Sequence, residues 1–356
     1  MANKKVLLGM SGGIDSTCSA VRLKKQGYQV IGISFDFLGN PLLGQDVTAI
    51  ARTMGIEHYF IDCQQGFEDQ VITPFLENYQ RGQTPNPCLI CNQRMKFPLL
   101  FKWAKKLGCD WIATGHYARL EKNGQQTSLL KSRDLNKDQS YFLYHLSQEE
   151  LSRLRLPLED FSDKEAVRKV IEKDFPQIAR GSESQGICFI PENNHVRFLK
   201  ERCLGTGPAR KGAFVDLQGN RLGAHRGALG YTLGQAVMIA DKHGSRELFV
   251  CAVDLDRNWV ILGQNEDLYK QTIMVSDIKL SGMSLEELHK ERDLTFKICC
   301  KGESYHGRAE WVNSDQERAK SLRVIARTSF RAPAGGQALV IYKGERLVGG
   351  GLICQG

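Results

Sequence analysis

Val6-Leu7-Leu8-Gly9-Met10-Ser11-Gly12-Gly13-Ile14-Asp15-Ser16 is the stretch from which the fold can be read. Val6 to Leu8 is a short unbroken apolar run, the pattern of a strand covered on both faces in a parallel sheet. Ser11, Gly12 and Gly13 then carry minimal side chains, so backbone N–H groups can approach an anion closely. Ser16 opens a helical run that continues to Gln26 and stops at Gly27. With Asp15 near the helix start and hydroxyls from Ser11 and Ser16, the turn offers donors to a polyphosphate and a carboxylate to Mg2+. The turn contains no lysine, which separates it from the G-x-x-x-x-G-K-[ST] loop that serves transfer of a terminal phosphoryl group. Gly9, Met10, Ser11, Gly12, Gly13, Ile14, Asp15 and Ser16 are therefore the candidate polyphosphate-binding residues.

Working outward, Tyr28 to Phe35 reads as a second strand, Asp46 to Met54 as a helix closed by Gly55, and Glu57 to Asp62 as a third strand. This alternation predicts a doubly wound parallel sheet, whose ligands sit beyond the carboxyl ends of the strands. Phe35 ends a strand there and is a candidate adenine neighbour; as a lone aromatic it reads equally well as core. Pro85 and Pro87 hold the segment Gly82 to Cys91 extended, and a helix is expected from Asn92 to Gly108. Cys91 would then lie at a helix N-terminus near Arg94 and Lys96, two features that lower a thiol pKa. Trp111 to Thr114 reads as another strand, and Gly115 and His116 leave its carboxyl end, Gly115 for close backbone approach and His116 to reach phosphate or base.

Past Leu204 closely spaced glycines and short segments give the texture of small antiparallel structure. Residues 271–356 alternate apolar and polar positions and read as a small β-barrel. Within it Arg323, Arg327 and Arg331, four apart, face one way on a strand, about 13 Å between neighbours. Such a row suits the phosphates of an RNA backbone, and a solvated strand face is the competing reading.

At 356 residues the chain has room for two or three domains, and 48 Lys plus Arg against 40 Asp plus Glu give a net charge of +8. That balance permits a nucleic-acid partner without requiring one. The apolar run before Ser11 is too short for a signal-peptide core, and no later run approaches membrane-spanning length. Eleven cysteines in such a chain point to a reducing compartment, the cytoplasm, where they are thiols rather than staples. Cys18, Cys63, Cys109, Cys203, Cys251 and Cys354 read as small core residues. Cys88 and Cys91, spaced C-x-x-C, and the lone Cys188 in Gly186-Ile187-Cys188-Phe189-Ile190 stand apart from these. Cys188 follows a charged stretch, Ala179 to Ser184, that reads as a mobile loop.

Ser-Gly-Gly-Ile-Asp-Ser after a hydrophobic strand resembles the loop of the ATP pyrophosphatases, which cleave ATP between the α and β phosphates. The series Thr84-Pro85-Asn86-Pro87 with Cys91-Asn92, Thr114 to Arg119 (TGHYAR), Lys137 to Leu143 (KDQSYFL), Glu183 to Ile190 (ESQGICFI), His225 to Gln235, Gly335 to Tyr342 and Gly349 to Ile353 resembles the bacterial tRNA-specific 2-thiouridylases along essentially the whole chain. The resemblance implies a PP-loop, HUP-like α/β catalytic domain over residues 1–203, a small central tRNA-contacting domain over 204–270 and a C-terminal β-barrel over 271–356. It implies ATP and Mg2+ as cofactors, tRNA with a wobble uridine as substrate, and a cysteine desulfurase or sulfur-relay protein as persulfide donor. Cys188 would carry the persulfide and Cys91 would resolve it, ending in a Cys91–Cys188 disulfide. Gly115 would join the nucleotide site, and Asn86, Pro87, Cys88, His116, Lys137, Asp138, Gln139 and Gln337 would contact tRNA.

The chain departs from that family pattern at three positions. Cys88 stands where aspartate is usual three residues before the nucleophile, Cys299-Cys300 where Arg-Tyr is usual, and Phe35 where methionine is usual beside adenine. With Cys88, Cys91 and Cys188 the chain has three thiols, so an iron–sulfur cluster is an alternative sulfur carrier. A small-molecule adenylating synthetase would share the loop without needing the thiols, and a thiol metal module would not need the loop.

Overall fold

The computed structural model describes residues 4–181, 186–202, 210–241, 244–312 and 321–354. The 203/204 domain boundary, Cys203, and Glu183 to Gln185 of the Cys188 motif lie outside the described residues.

The first layer is a five-stranded, all-parallel sheet in the order β3-β2-β1-β4-β7. It comprises β1 (Lys5–Gly9), β2 (Gln29–Asp36), β3 (Glu57–Asp62), β4 (Trp111–Ala113) and β7 (Leu154–Arg155). Val6, Leu7 and Leu8 are wholly buried, as a strand covered on both faces requires. Helix α1 (Ile14–Lys25) follows β1, and α2 (Pro41–Thr53) begins five residues before the expected Asp46. All strands run the same way, so the loops after β1, β2 and β4 open on one edge, which is where the candidate site residues fall.

The helix expected from Asn92 begins earlier. Asn86 caps it, its side-chain oxygen accepting from Cys88 N at 3.1 Å, and Pro87 occupies the first turn of the helix Pro87–Cys91. The chain continues through a π turn at Asn92–Lys96 into the helix Phe97–Lys106. Cys91 therefore ends the first of these pieces instead of starting the helix.

The second sheet, in the order β10-β11-β12-β8-β9, is the small central layer: β8 (Gly212–Val215), β9 (Arg221–His225), β10 (Ala236–Asp241), β11 (Gly244–Asp254) and β12 (Trp259–Gly263). It is antiparallel except where β12 pairs in parallel with β8.

The third is a barrel of six strands: β13 (Tyr269–Leu280), β14 (Leu294–Lys297), β15 (Tyr305–Val312), β16 (Ser321–Arg331), β17 (Ala338–Lys343) and β18 (Arg346–Ile353). Every neighbouring pair is antiparallel, and β13 pairs with both β16 and β18, which closes it. A hairpin of the first domain, β5 (Arg119–Asn123) with β6 (Gln126–Leu130), joins the outside of β18 through Arg346 and Leu130. One buried cluster runs from Leu7, Ile31 and Leu100 through Tyr141 and Tyr144 to Val340 and Tyr342, so barrel and parallel sheet share a core.

Candidate active site

The turn after β1 has the form expected of an anion cradle. Gly12 takes φ +76°, a conformation that disfavours any side chain, and Gly13 caps α1 with no side-chain bond to its first N–H groups. Ser16 Oγ donates to Gly13 O at 3.1 Å and accepts from Ser11 N at 3.2 Å, holding the turn closed. Met10 and Ile14 turn their side chains into the core, so they offer the site only backbone. Gly115 passes so near this turn that a Cβ there would lie 3.0 Å from the Asp15 carbonyl carbon. Phe35 is half-buried at the end of β2, its ring centroid 6.1 Å from that of Phe37.

Asp15 has partners no local motif announces. Its Oδ1 accepts from Tyr117 Oη at 2.6 Å and from Lys164 Nζ at 2.5 Å. Lys164 opens the helix Lys164–Glu172 and its side chain is only 14% exposed. A lysine missing from the loop is thus supplied from a distant helix. Tyr117 is held in turn by Gln139, whose side-chain oxygen accepts from Tyr117 N at 3.0 Å while its backbone N–H donates to Tyr117 O at 2.8 Å. The Lys137–Gln139 loop is thereby tied to the phosphate turn.

The three thiols lie close enough to feel one another. Lys96 acts on Cys88, Cys91 and Cys188, and Cys188 acts on Cys91. Cys88 and Cys188 are exposed and Cys91 is half-buried. The expectation of an activated Cys91 thiolate is not met in this conformation. Burial pushes its pKa up to about 11, against the ammonium of Lys96 and a bond from the Lys96 backbone N–H. The helix-terminus argument fails because the helix starts at Pro87, and Arg94 points outward, exposed. Burial also raises Cys88 and Cys188, the latter partly relieved by its own N–H and that of Phe189. Phe189 pins the Cys188 turn, packing edge-on to Phe75 with centroids 5.4 Å apart. Among the described residues no three His, Cys, Asp or Glu side chains converge as a metal-ligand set. Asp15, a third exposed at the mouth of the turn, fits an oxygen ligand of Mg2+, which takes one or two carboxylates together with phosphate and water.

Several expected RNA contacts are engaged otherwise. Asp138 is buried; its carboxylate accepts from Ser132 N at 3.0 Å, Ser140 N at 3.1 Å and Ser140 Oγ at 3.1 Å, so it shapes the loop from within and is not on its surface. His116 bonds Thr114 Oγ1 through Nδ1 at 2.8 Å and stacks on Phe97, and burial drives its pKa down to about 3. A neutral imidazole suits hydrogen bonding to a base and not an ion pair with phosphate. Gln337 donates to Thr84 O at 2.6 Å, and Thr84 N donates to Gly335 O at 3.0 Å, which joins the barrel to the segment leading into Asn86, Pro87 and Cys88. Lys137 is half-buried beside Asp138. In the arginine row Arg327, itself exposed, pairs with Asp293 at 3.4 Å and Arg331 bonds Asn265 at 3.2 Å, while Arg323 is exposed opposite Glu310.

Family profiles match the chain in three consecutive blocks: the tRNA methyl transferase HUP domain over 4–192, the tRNA methyl transferase PRC-barrel domain over 197–264 and the aminomethyltransferase beta-barrel domain over 270–353. The tRNA-specific 2-thiouridylase of Halothermothrix orenii is 37% identical over 98% of this chain and 98% of its own. That of Clostridioides difficile is 33% identical over 99% of this chain and 98% of its own. A solved 4-thiouridine synthetase–RNA complex with bound ATP aligns with a TM-score of 0.37 and 18% identity, over 56% of this chain and 50% of that one. On the full-length identity and the three profiles in register, the chain belongs to the tRNA-specific 2-thiouridylase family.

Proposed function

We propose that this chain catalyses ATP-dependent 2-thiolation of the wobble uridine of tRNA, with Cys188 as persulfide carrier and Cys91 as the thiol that resolves it. The observation that carries the reading is the pair His116–Tyr117. Tyr117 grips Asp15 of the phosphate turn, while His116 lies in the field of Lys96, the cation that also faces all three thiols. Adjacent residues thus reach both halves of a two-stage reaction.

In the first stage uridine O2 attacks the α phosphorus of ATP, the bond to the β-phosphate bridging oxygen breaks, and pyrophosphate leaves. The open N-terminus of α1 and the turn N–H groups hold the phosphates, and Asp15 would hold Mg2+, which when bound would supply charge neutralisation to the pyrophosphate. Lys164, paired with the same carboxylate, would place its ammonium beside the phosphates. In the second stage the Cys91 thiolate attacks Cys188 Sγ of the persulfide and expels hydrosulfide. Hydrosulfide adds to C2, AMP departs, and 2-thiouridine and a Cys91–Cys188 disulfide remain, which an external dithiol must reduce. The persulfide comes from a cysteine desulfurase or a sulfur-relay protein. Cys88, exposed in the first turn of the Pro87–Cys91 helix, replaces the usual carboxylate and serves as a substrate-facing thiol without being required for transfer.

The test is incubation with ATP, Mg2+, unmodified tRNA and a persulfide donor, with pyrophosphate and 2-thiouridine both measured. Wild type should yield both, Cys91→Ser and Cys188→Ser should release pyrophosphate without forming thiouridine, and Cys88→Ser should keep measurable turnover. Absence of tRNA-dependent pyrophosphate release from wild type overturns the reading.

A further inference from the structure

The turn between β14 and β15 carries two adjacent thiols, Cys299 and Cys300, that the proposed reaction does not use. Cys299 is exposed, and its sulfur rests on Gly302 so closely that a Cβ there would lie 2.2 Å from it. The Gly302 N–H points at that sulfur, and Lys297 lies near both thiols. Cys300 is half-buried and its Sγ donates to the carbonyl oxygen of Asp138 at 3.7 Å. Asp138 is the residue whose buried carboxylate organises the Lys137–Gln139 loop, and Gln139 ties that loop to Tyr117. One thiol is thus open to solvent, and its neighbour grips a loop linked to the nucleotide turn.

We propose that Cys299–Cys300 is an oxidative modification site, at which a hydroperoxide forms a vicinal disulfide that detaches Cys300 from Asp138 and loosens the Lys137–Gln139 loop. The peroxide oxygen distal to its substituent is transferred to the Cys299 sulfur, giving a sulfenic acid and releasing the alcohol, or water from hydrogen peroxide. The Cys300 thiol then displaces hydroxide from that sulfur, its proton leaving with the hydroxide as water. The two thiols lose two electrons in total, which the peroxide accepts. Gly302 leaves room for the Cys299 sulfur where it lies, which a side chain at that position would occupy.

The experiment uses the full chain carrying Cys91→Ser and Cys188→Ser, so that the transfer thiols do not contribute. After hydrogen peroxide the Ile298–Lys301 peptide should be two hydrogens lighter, should regain them with dithiothreitol, and should be protected by prior reaction with phenylarsine oxide, which bridges paired thiols. The RNA-affinity arm rests on the functional reading above. Oxidation should weaken binding of unmodified tRNA about fivefold, the scale of one lost hydrogen bond, and the same protein with Cys300→Ser, whose hydroxyl keeps the bond to Asp138, should be unmoved by peroxide. Over-oxidation of Cys299 beside an intact Cys300 thiol, or a disulfide between two chains, overturns the site, and a vicinal disulfide with unchanged affinity overturns the coupling. Failure of the reduced protein to bind tRNA overturns the functional reading instead, and the peptide masses still judge the disulfide.

Discussion

The role proposed for Cys91 requires a thiolate at the moment of attack, and burial holds Cys91 as the thiol, with Lys96 opposing that effect. Because its pKa is raised, alkylation of Cys91 by iodoacetamide should keep accelerating as pH climbs past 9 toward about 11. Lys96→Met should slow it at every pH below that, by removing the group that lowers the pKa. A plateau below pH 8 would show that another conformation, with the thiol uncovered, dominates in solution. At Asp15 the relevant neighbour is Lys164, which meets the carboxylate at 2.5 Å from 149 positions along the chain. Lys164→Met should lower tRNA-dependent pyrophosphate release by about a hundredfold, the scale of losing one preorganised group beside developing charge, while leaving tRNA affinity unchanged. Equal turnover in wild type and variant would return Lys164 to a structural role. No reading of Val6 to Ser16 could find it, since the pairing exists only once the helix Lys164–Glu172 packs across α1. The turn itself was legible because Gly12, Gly13 and the hydroxyls act through local backbone geometry.

Elements were readable where one periodicity governed them and misread where a residue admits two roles. The strands around β1 were legible from unbroken apolar runs between glycines, with ends differing by about one residue. Pro85 and Pro87 favour an extended chain as far as Cys91, yet proline is equally at home in the first turn of a helix, where its missing N–H costs nothing. With Asn86 as cap the helix starts there, and Cys91 moves from its start into its body. Replacing Asn86 by alanine should cost about 1 kcal/mol of stability and reduce thiouridine formation more than pyrophosphate release, because the cap orients Cys88 and Cys91 but not the phosphate turn. A proportional fall in both products would mean that Asn86 acts on the whole site. Gly115→Ala makes the opposite demand. Its Cβ would press within 3.0 to 3.2 Å of the Asp15 carbonyl and Cβ atoms, so pyrophosphate release should fall while alkylation of Cys91 stays at its wild-type rate.

At the scale of the whole molecule the catalytic sheet and the barrel share a core, and Gln337 and Thr84 bond across their junction. That a parallel sheet is followed by a small domain and a barrel is legible from changes in texture, glycine-rich and then alternating. Which barrel side chains meet RNA was not, because strand parity says which residues share a face and nothing about what already occupies them. Arg323, Arg327 and Arg331 do alternate outward from the buried Leu322, Val324, Ala326 and Phe330. Arg327 is nevertheless paired with Asp293, and Arg331 is spent between Asn265 and the ring of Phe249, at the junction with the central layer. Each phosphate contact with a single strand contributes about 0.7 to the slope of log affinity against log salt. Neutralising all three arginines should therefore flatten that slope by about 0.7, one contact, instead of the roughly 2 that three free guanidinium groups would give. Arg323→Ala alone should reproduce the flattening. Arg331→Ala should leave the slope unchanged and lower the melting temperature, since its bonds run within the protein. A loss near 2 on the triple substitution would mean that tRNA displaces Asp293 and Asn265 on binding, and that the row acts as a unit after all.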